Sequence, residues 1–207
     1  MTTTNFLADT FDPETFLFSK PKKYKNAEIM VCKIKNKNND PVLVQFPKMT
    51  IASDYTKFVE LDFTSETGYN KKVHTFLVSL DTFVMGYICQ HSEQWFGKLI
   101  PMENVKDMYI PSQPNTMKFI FDKVKSEVIN KRNEKVELSE IIKGVTLECI
   151  SQLKFIVFTK DTCFLQWEIC TAKVHKKIAR VPRFGFVDDP DDESETEESD
   201  EEIVTFF

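Results

Sequence analysis

From Val73 to Ile88 the chain changes its apolar period, and that change limits the folds open to it. Val73, Phe76, Leu77, Leu80, Val84, Tyr87 and Ile88 recur at spacings of three and four, which predicts an amphipathic helix of about five turns. Ser92 to Lys98 continues into a second short helical piece or turn closed by Gly97, and Pro101, Pro111 and Pro114 make 99–116 an irregular connector. Strand-like runs lie on both sides. Ala27–Lys35 and Pro41–Phe46 flank the turn-forming cluster Asn36–Asp40 and predict a hairpin, and Tyr55–Phe63 reads as a third strand. Later, Met117–Val124, Val145–Ile150, Leu153–Thr159 and Cys163–Val174 read as strands, with a loop over Asn130–Glu137 and a tight turn at Lys160–Thr162. One helix between two β-rich halves has no βαβ alternation and excludes a doubly wound sheet. The pattern predicts a mainly β fold, a small closed or partly open barrel plugged by one long amphipathic helix.

Alternation in the last hairpin assigns its faces. Cys163, Leu165, Trp167 and Ile169 share one face and Phe164, Gln166, Glu168 and Cys170 the other, so Trp167 is expected in the core and Phe164 outside. In the preceding run, Lys154, Ile156, Phe158 and Lys160 share a face, with Phe155 and Val157 opposite. A lysine, aromatic, lysine row is a means of gripping a sugar-phosphate backbone while stacking a base, and that reading selects Lys154, Phe158 and Lys160. Lys22, Lys23, Tyr24 and Lys25 place a ring among lysines in the same way. Lys33 and Lys35 on the first hairpin, and Lys173, Lys176 and Lys177 in the cationic stretch that ends the last strand, complete the candidate nucleic-acid contacts.

The last twenty residues are of another kind. Asp188 to Glu202 contains eleven carboxylates and no base, followed by Ile203, Val204, Thr205, Phe206 and Phe207. Such a block repels itself and offers little to bury, so 188–207 is expected to be a disordered acidic tail. The full chain has 27 Lys+Arg against 32 Asp+Glu. Without the tail, 27 basic residues face 21 acidic ones, a net of +6 on 1–187. A basic body is thus tethered to its own polyanion, whose carboxylates compete with phosphates for the same lysines. The expected organisation is a loosely held arm over 1–19, one binding domain over 20–187, and the tail.

Cys32, Cys89, Cys149, Cys163 and Cys170 are odd in number, scattered, and never in a Cys-x-x-Cys spacing. They read as reduced thiols in an intracellular compartment, with no zinc site. The first ten residues lack a signal-peptide pattern and no apolar run approaches eighteen residues, so the expectation is a soluble chain with no membrane partner. Five scattered glycines leave no phosphate-cradling loop. His74, His91 and His175 have no nucleophile or ligand set beside them, and the expectation is a protein without cofactor that is not an enzyme. Two other readings stay open: a metal-dependent nuclease built around Glu60 and Asp62, and an acidic-tailed histone-type chaperone or transcription cofactor.

Pro41 to Lys48, Glu93 to Lys98, the hairpin Leu147 to Val174 and the tail, in that order, resemble the single-stranded DNA-binding proteins of T-odd phages and their relatives in nucleocytoplasmic large DNA viruses. The resemblance covers nearly the whole chain from about residue 20. It implies an OB-fold barrel that coats single-stranded DNA during viral replication, recombination and repair. It also implies a tail, read here at Asp200, Glu201, Glu202, Phe206 and Phe207, that contacts replication proteins such as a DNA polymerase or helicase-primase. A homodimer is left open, and the location implied is the host nucleus or a viral factory.

Overall fold

The computed structural model describes residues 5–7, 12–24, 28–53, 58–63, 68–113, 115–137 and 141–176. The helical repeat forms one helix, α1 (Gly68–Phe96), longer than its apolar stripe suggests. The separate piece expected at 92–98 is its last turn, since no glycine or proline lies between Ile88 and Gly97. That glycine, at φ +70°, donates its amide to the Glu93 carbonyl over 2.9 Å and ends the helix. Val73, Leu77, Leu80, Val84 and Ile88 are all buried on the barrel side. A short helix, α2 (Met102–Met108), follows Pro101 inside the stretch expected to be irregular. Among the described residues no helix is long and apolar enough to cross a membrane.

The strands are β1 (Asn5–Leu7), β2 (Phe16–Phe18), β3 (Lys22–Lys23), β4 (Met30–Asn36), β5 (Val42–Ile51) and β6 (Phe58–Asp62) before the helices. After them come β7 (Thr116–Phe121), β8 (Glu127–Ile129), β9 (Thr146–Phe158) and β10 (Cys163–Lys176). Five of these close a ring in the order β5-β6-β7-β10-β9 and back to β5. All neighbours in it are antiparallel except β7 and β10. Counted within the ring, the order is first, second, third, fifth, fourth, the arrangement of an OB-type Greek-key barrel. Phe46 packs edge-on against both Phe119 and Trp167, with ring centroids 5.2 Å apart in each pair, and Trp167 lies in the core as its alternation predicts.

Three further expectations change. β4 and β5 do not form a hairpin ladder with each other: Met30 to Lys33 pair with Phe158 to Phe155, and Val42 to Thr50 pair with Leu153 to Thr146. They run end to end along one edge of β9, and the turn at Asn36–Asp40 is a detour between them. The two runs read at 145–150 and 153–159 are the single strand β9, which bends at bulges instead of breaking. The end of the expected loose arm is docked, with β2 paired to β4 and Phe16 buried in the core. The tail, Lys25 and Lys177 lie outside the described residues.

The cysteines Cys32, Cys149 and Cys163 are buried, and all five are free. Burial pushes these three thiols up to about 12, so they remain protonated and pack as small apolar groups.

Candidate nucleic-acid interface

The ring closes through a short seam. β7 and β10 pair only from Phe119 with Trp167 to Phe121 with Ile169, and before these residues the two strands part. The segment after α2 fills the gap: Tyr109 bridges to Cys163, and the Ile110 amide donates to the Cys163 carbonyl over 2.8 Å. Its other side is tied to α1 through Asp81. The Tyr109 hydroxyl donates to Oδ1 over 2.6 Å and the Ser112 amide to Oδ2 over 2.7 Å. Burial raises the Asp81 carboxyl above its ordinary value despite these hydrogen bonds, and burial together with Asp81 holds the Tyr109 phenol well above its own.

A groove of about 400 Å³ remains at the seam, walled by Phe58, Glu60, Lys118 and Ile120 on one side, Phe164 and Gln166 on the other, and Ile110 to Gln113 at one end. Phe58 is 40% exposed, and Phe164 is half-buried. The Lys118 ammonium stands 5.9 Å from the Phe58 ring centroid and 3.2 Å from Glu60 Oε1. Partly exposed rings beside an exposed ammonium in a trough of this width suit a flat π-face attached to an anionic backbone. Neither Phe58 nor Lys118 was picked out by sequence reasoning. The available signal was an aromatic on the polar parity of its strand, since Phe58 alternates with Glu60 and Asp62 while Val59, Leu61 and Phe63 point inward.

Of the residues selected from the sequence, Phe158 is corrected. It is 3% exposed and packs edge-on against Trp95 and Phe96, with centroids 6.3 and 5.3 Å away, so it belongs to the core and stacks no base. The cause is a bulge. Gln166 pairs with Phe155 and Trp167 with Leu153, so Lys154 is the extra residue and the alternation flips across it. Phe155 therefore takes the outer face, paired on one side with Gln166 of the groove wall and on the other with Lys33. Lys154 also lies outside but is engaged: it forms an ion pair with Glu168, and its ammonium is 5.7 Å from the Phe155 centroid.

Tyr24 stands 6.2 Å from Phe155, centroid to centroid, and is 38% exposed. Lys22 and Lys33 are exposed on the same face, Lys22 in register with Val31, whereas Lys23, in register with Met30, is exposed on the opposite one. Lys35 is half-buried, its ammonium 2.6 Å from Asn39 Oδ1, and Lys160 is exposed at the β9–β10 turn. Lys173 reaches Asn133 Oδ1 at 3.1 Å, and Lys176 pairs in register with Thr146. Seven residues of strand separate Lys173 from Gln166, roughly 23 Å, so these two do not join the groove. Lys25, Lys177 and the tail residues Asp200, Glu201, Glu202, Phe206 and Phe207 lie outside the described residues. Among the described residues no three His, Cys, Asp or Glu side chains are grouped to hold a metal ion, and Glu60 faces Lys118.

No curated protein matches the chain by sequence. Among solved structures it is similar to gp2.5, a single-stranded DNA-binding protein encoded by bacteriophage T7, with 11% identity and a TM-score of 0.49 over 72% of this chain and 100% of that one. It is also similar to the single-stranded DNA-binding protein of bacteriophage Enc34. A C-terminal truncation of that protein gives 12% identity and a TM-score of 0.40 over 80% and 97% of the two chains. Its complex with single-stranded DNA gives 12% identity and a TM-score of 0.39 over 79% and 97%. The model of a family of unknown function (DUF5871) matches residues 50–188, from the end of β5 through β10 and beyond, and the chain belongs to that family.

Proposed function

We propose that this protein binds single-stranded DNA with little regard to sequence, in the groove at the seam of its barrel. The observation that carries the reading is the pair of rings, Phe58 and Phe164, facing one trough with the Lys118 ammonium beside them. Bases in a single strand expose their π-faces and can enter such a trough, whereas in a duplex those faces are already stacked. Anisotropy titrations with labelled single- and double-stranded oligonucleotides test this. Preferential binding of the single strand, weakened by Phe58→Ala, supports it; equal affinity for both forms, or no binding at low salt, overturns it and favours a chaperone-type role.

Within that reading the protein acts in viral DNA replication and recombination, and its tail serves two ends. Twenty residues extend up to ~65 Å, against a body on the order of 40 Å across. Eleven carboxylates can then occupy the cationic face part of the time and lower the apparent affinity by the fraction left open. Phe206 and Phe207 supply an apolar anchor for a replication protein. Deleting 188–207 is expected to tighten single-strand binding and abolish partner binding. Removing only the two phenylalanines is expected to lose the partner while leaving the salt dependence of DNA binding unchanged.

A further inference from the structure

The outer face of the β9–β10 hairpin carries a second aromatic surface next to the groove. Val31 and Val157 are buried yet stand apart from the main hydrophobic core. They pair with each other across β4 and β9, and Val157 pairs with Phe164 of the groove wall. Phe155 shares that face, two residues from Val157 on β9, and Tyr24 packs 6.2 Å from it. Two valines buried on the outside of a sheet are a built feature. Their burial requires cover on that face, and the side chains that share it include Phe155, Phe164 and Lys22. The Lys154 to Glu168 ion pair adds to this by fixing an ammonium 5.7 Å from the Phe155 ring. Exposed Lys22 and Lys33 border the patch and supply positive charge that Lys154, already paired, does not.

We propose that Phe155 and Tyr24 form a second stacking platform for the same single strand, so that the DNA leaves the groove over Phe164 and Gln166 and crosses β9 and β4 toward β3. This rests on the groove reading above. Direct cross-strand pairing makes the two surfaces continuous, with Gln166 beside Phe155 and Phe155 beside Lys33. From β10 to β3 there are three strand spacings, about 14 Å. At roughly 3.4 Å per stacked nucleotide this adds about four nucleotides to the site. A polynucleotide is the occupant because the patch combines rings with a cationic border and continues a trough of the same character.

The test is an affinity series with labelled oligothymidylates of four, eight and twelve nucleotides, on full-length protein and on Phe155→Ala, Tyr24→Ala, Phe155→Trp and Phe58→Ala. The four-nucleotide probe fills the groove alone. Phe155→Ala and Tyr24→Ala are expected to leave its affinity within twofold but to weaken the twelve-nucleotide probe by roughly 5- to 150-fold, the range for losing one stacked base. Phe155→Trp, which keeps a ring, is expected to restore it. Should Phe155→Ala affect neither length while Phe58→Ala weakens both, the platform is wrong and the groove stands. Equal losses at both lengths overturn the platform as well, since they mean the ring supports the groove instead of extending it. If Phe58→Ala changes nothing at any length, the groove reading itself fails, whatever the platform variants do.

Discussion

Phe155 and Phe158 lie three residues apart on one strand and belong to opposite sides of the molecule. On the helix side, Phe158 meets Trp95 and Phe96, while Phe18 packs 4.4 Å from Tyr87, whose ring stacks on His91 at 3.9 Å. There, rings face rings and pack against the core. On the seam side, Phe58, Phe164, Phe155 and Tyr24 stand among lysines and remain partly exposed. Both regions are aromatic, and what separates them is the company each ring keeps. In the first the rings stabilise the fold; the second is the surface on which the proposed function rests.

The largest effect should come from the helix side. Phe158→Ala removes a buried ring and is expected to cost ~3–5 kcal/mol, read as a fall in melting temperature on the order of 10 °C, with DNA affinity unchanged at temperatures where the variant is folded. A loss of affinity without a loss of stability would erase the distinction between the sides. On the seam side, Phe58→Ala and Phe164→Ala are each expected to lose ~1–3 kcal/mol of single-strand affinity, measured by anisotropy, with little change in melting.

Asp81 links the two regions and sharpens the contrast through pH. Its folded-state carboxyl is raised above its unfolded value by burial. The stability tied to its protonated form is therefore fully present below the unfolded value and lost as pH rises through the folded one. Urea melts from pH 3.5 to 7 should show wild-type protein losing stability relative to Asp81→Asn across that window. A constant difference would mean that the carboxyl titrates alike in both states. The smallest effect is expected for Lys118→Gln. If its ammonium meets one phosphate, the slope of log K against log salt should become shallower by about 0.7, whereas Lys173→Gln, outside the groove, should leave the slope unchanged.

The helix, the tight turn before β10, the inward Trp167 and the outward Phe164 were legible because each depends on local period or turn chemistry. The Phe155 and Phe158 assignment was not, since one extra residue at Lys154 inverts the parity of everything beyond it and no local signal marks the bulge. The groove was illegible for another reason. It exists because β7 and β10 pair in parallel over only three positions and stand apart before them, a relation between segments nearly fifty residues apart. The hairpin reading of β4 and β5 failed in the same way: the turn between them is real, but the partner both strands seek is β9. The run of lysines around Tyr24 is visible in composition, whereas composition could not show that Phe155 would stand beside that ring.

The placement of β9 also sets the order in which the molecule can be made. Val42 awaits Leu153 and Thr50 awaits Thr146, so the first half of the barrel has its main partner about a hundred residues downstream. At ~5–20 residues per second of synthesis, β5 spends roughly 5 to 20 s outside the ribosome with Val42, Val44 and Phe46 uncovered. Helix α1 can form in that interval, but its apolar face has no closed barrel to rest on. A nascent chain of this kind commits to its barrel only once β9 has emerged, and until then the valines and phenylalanine that later fill its centre face water.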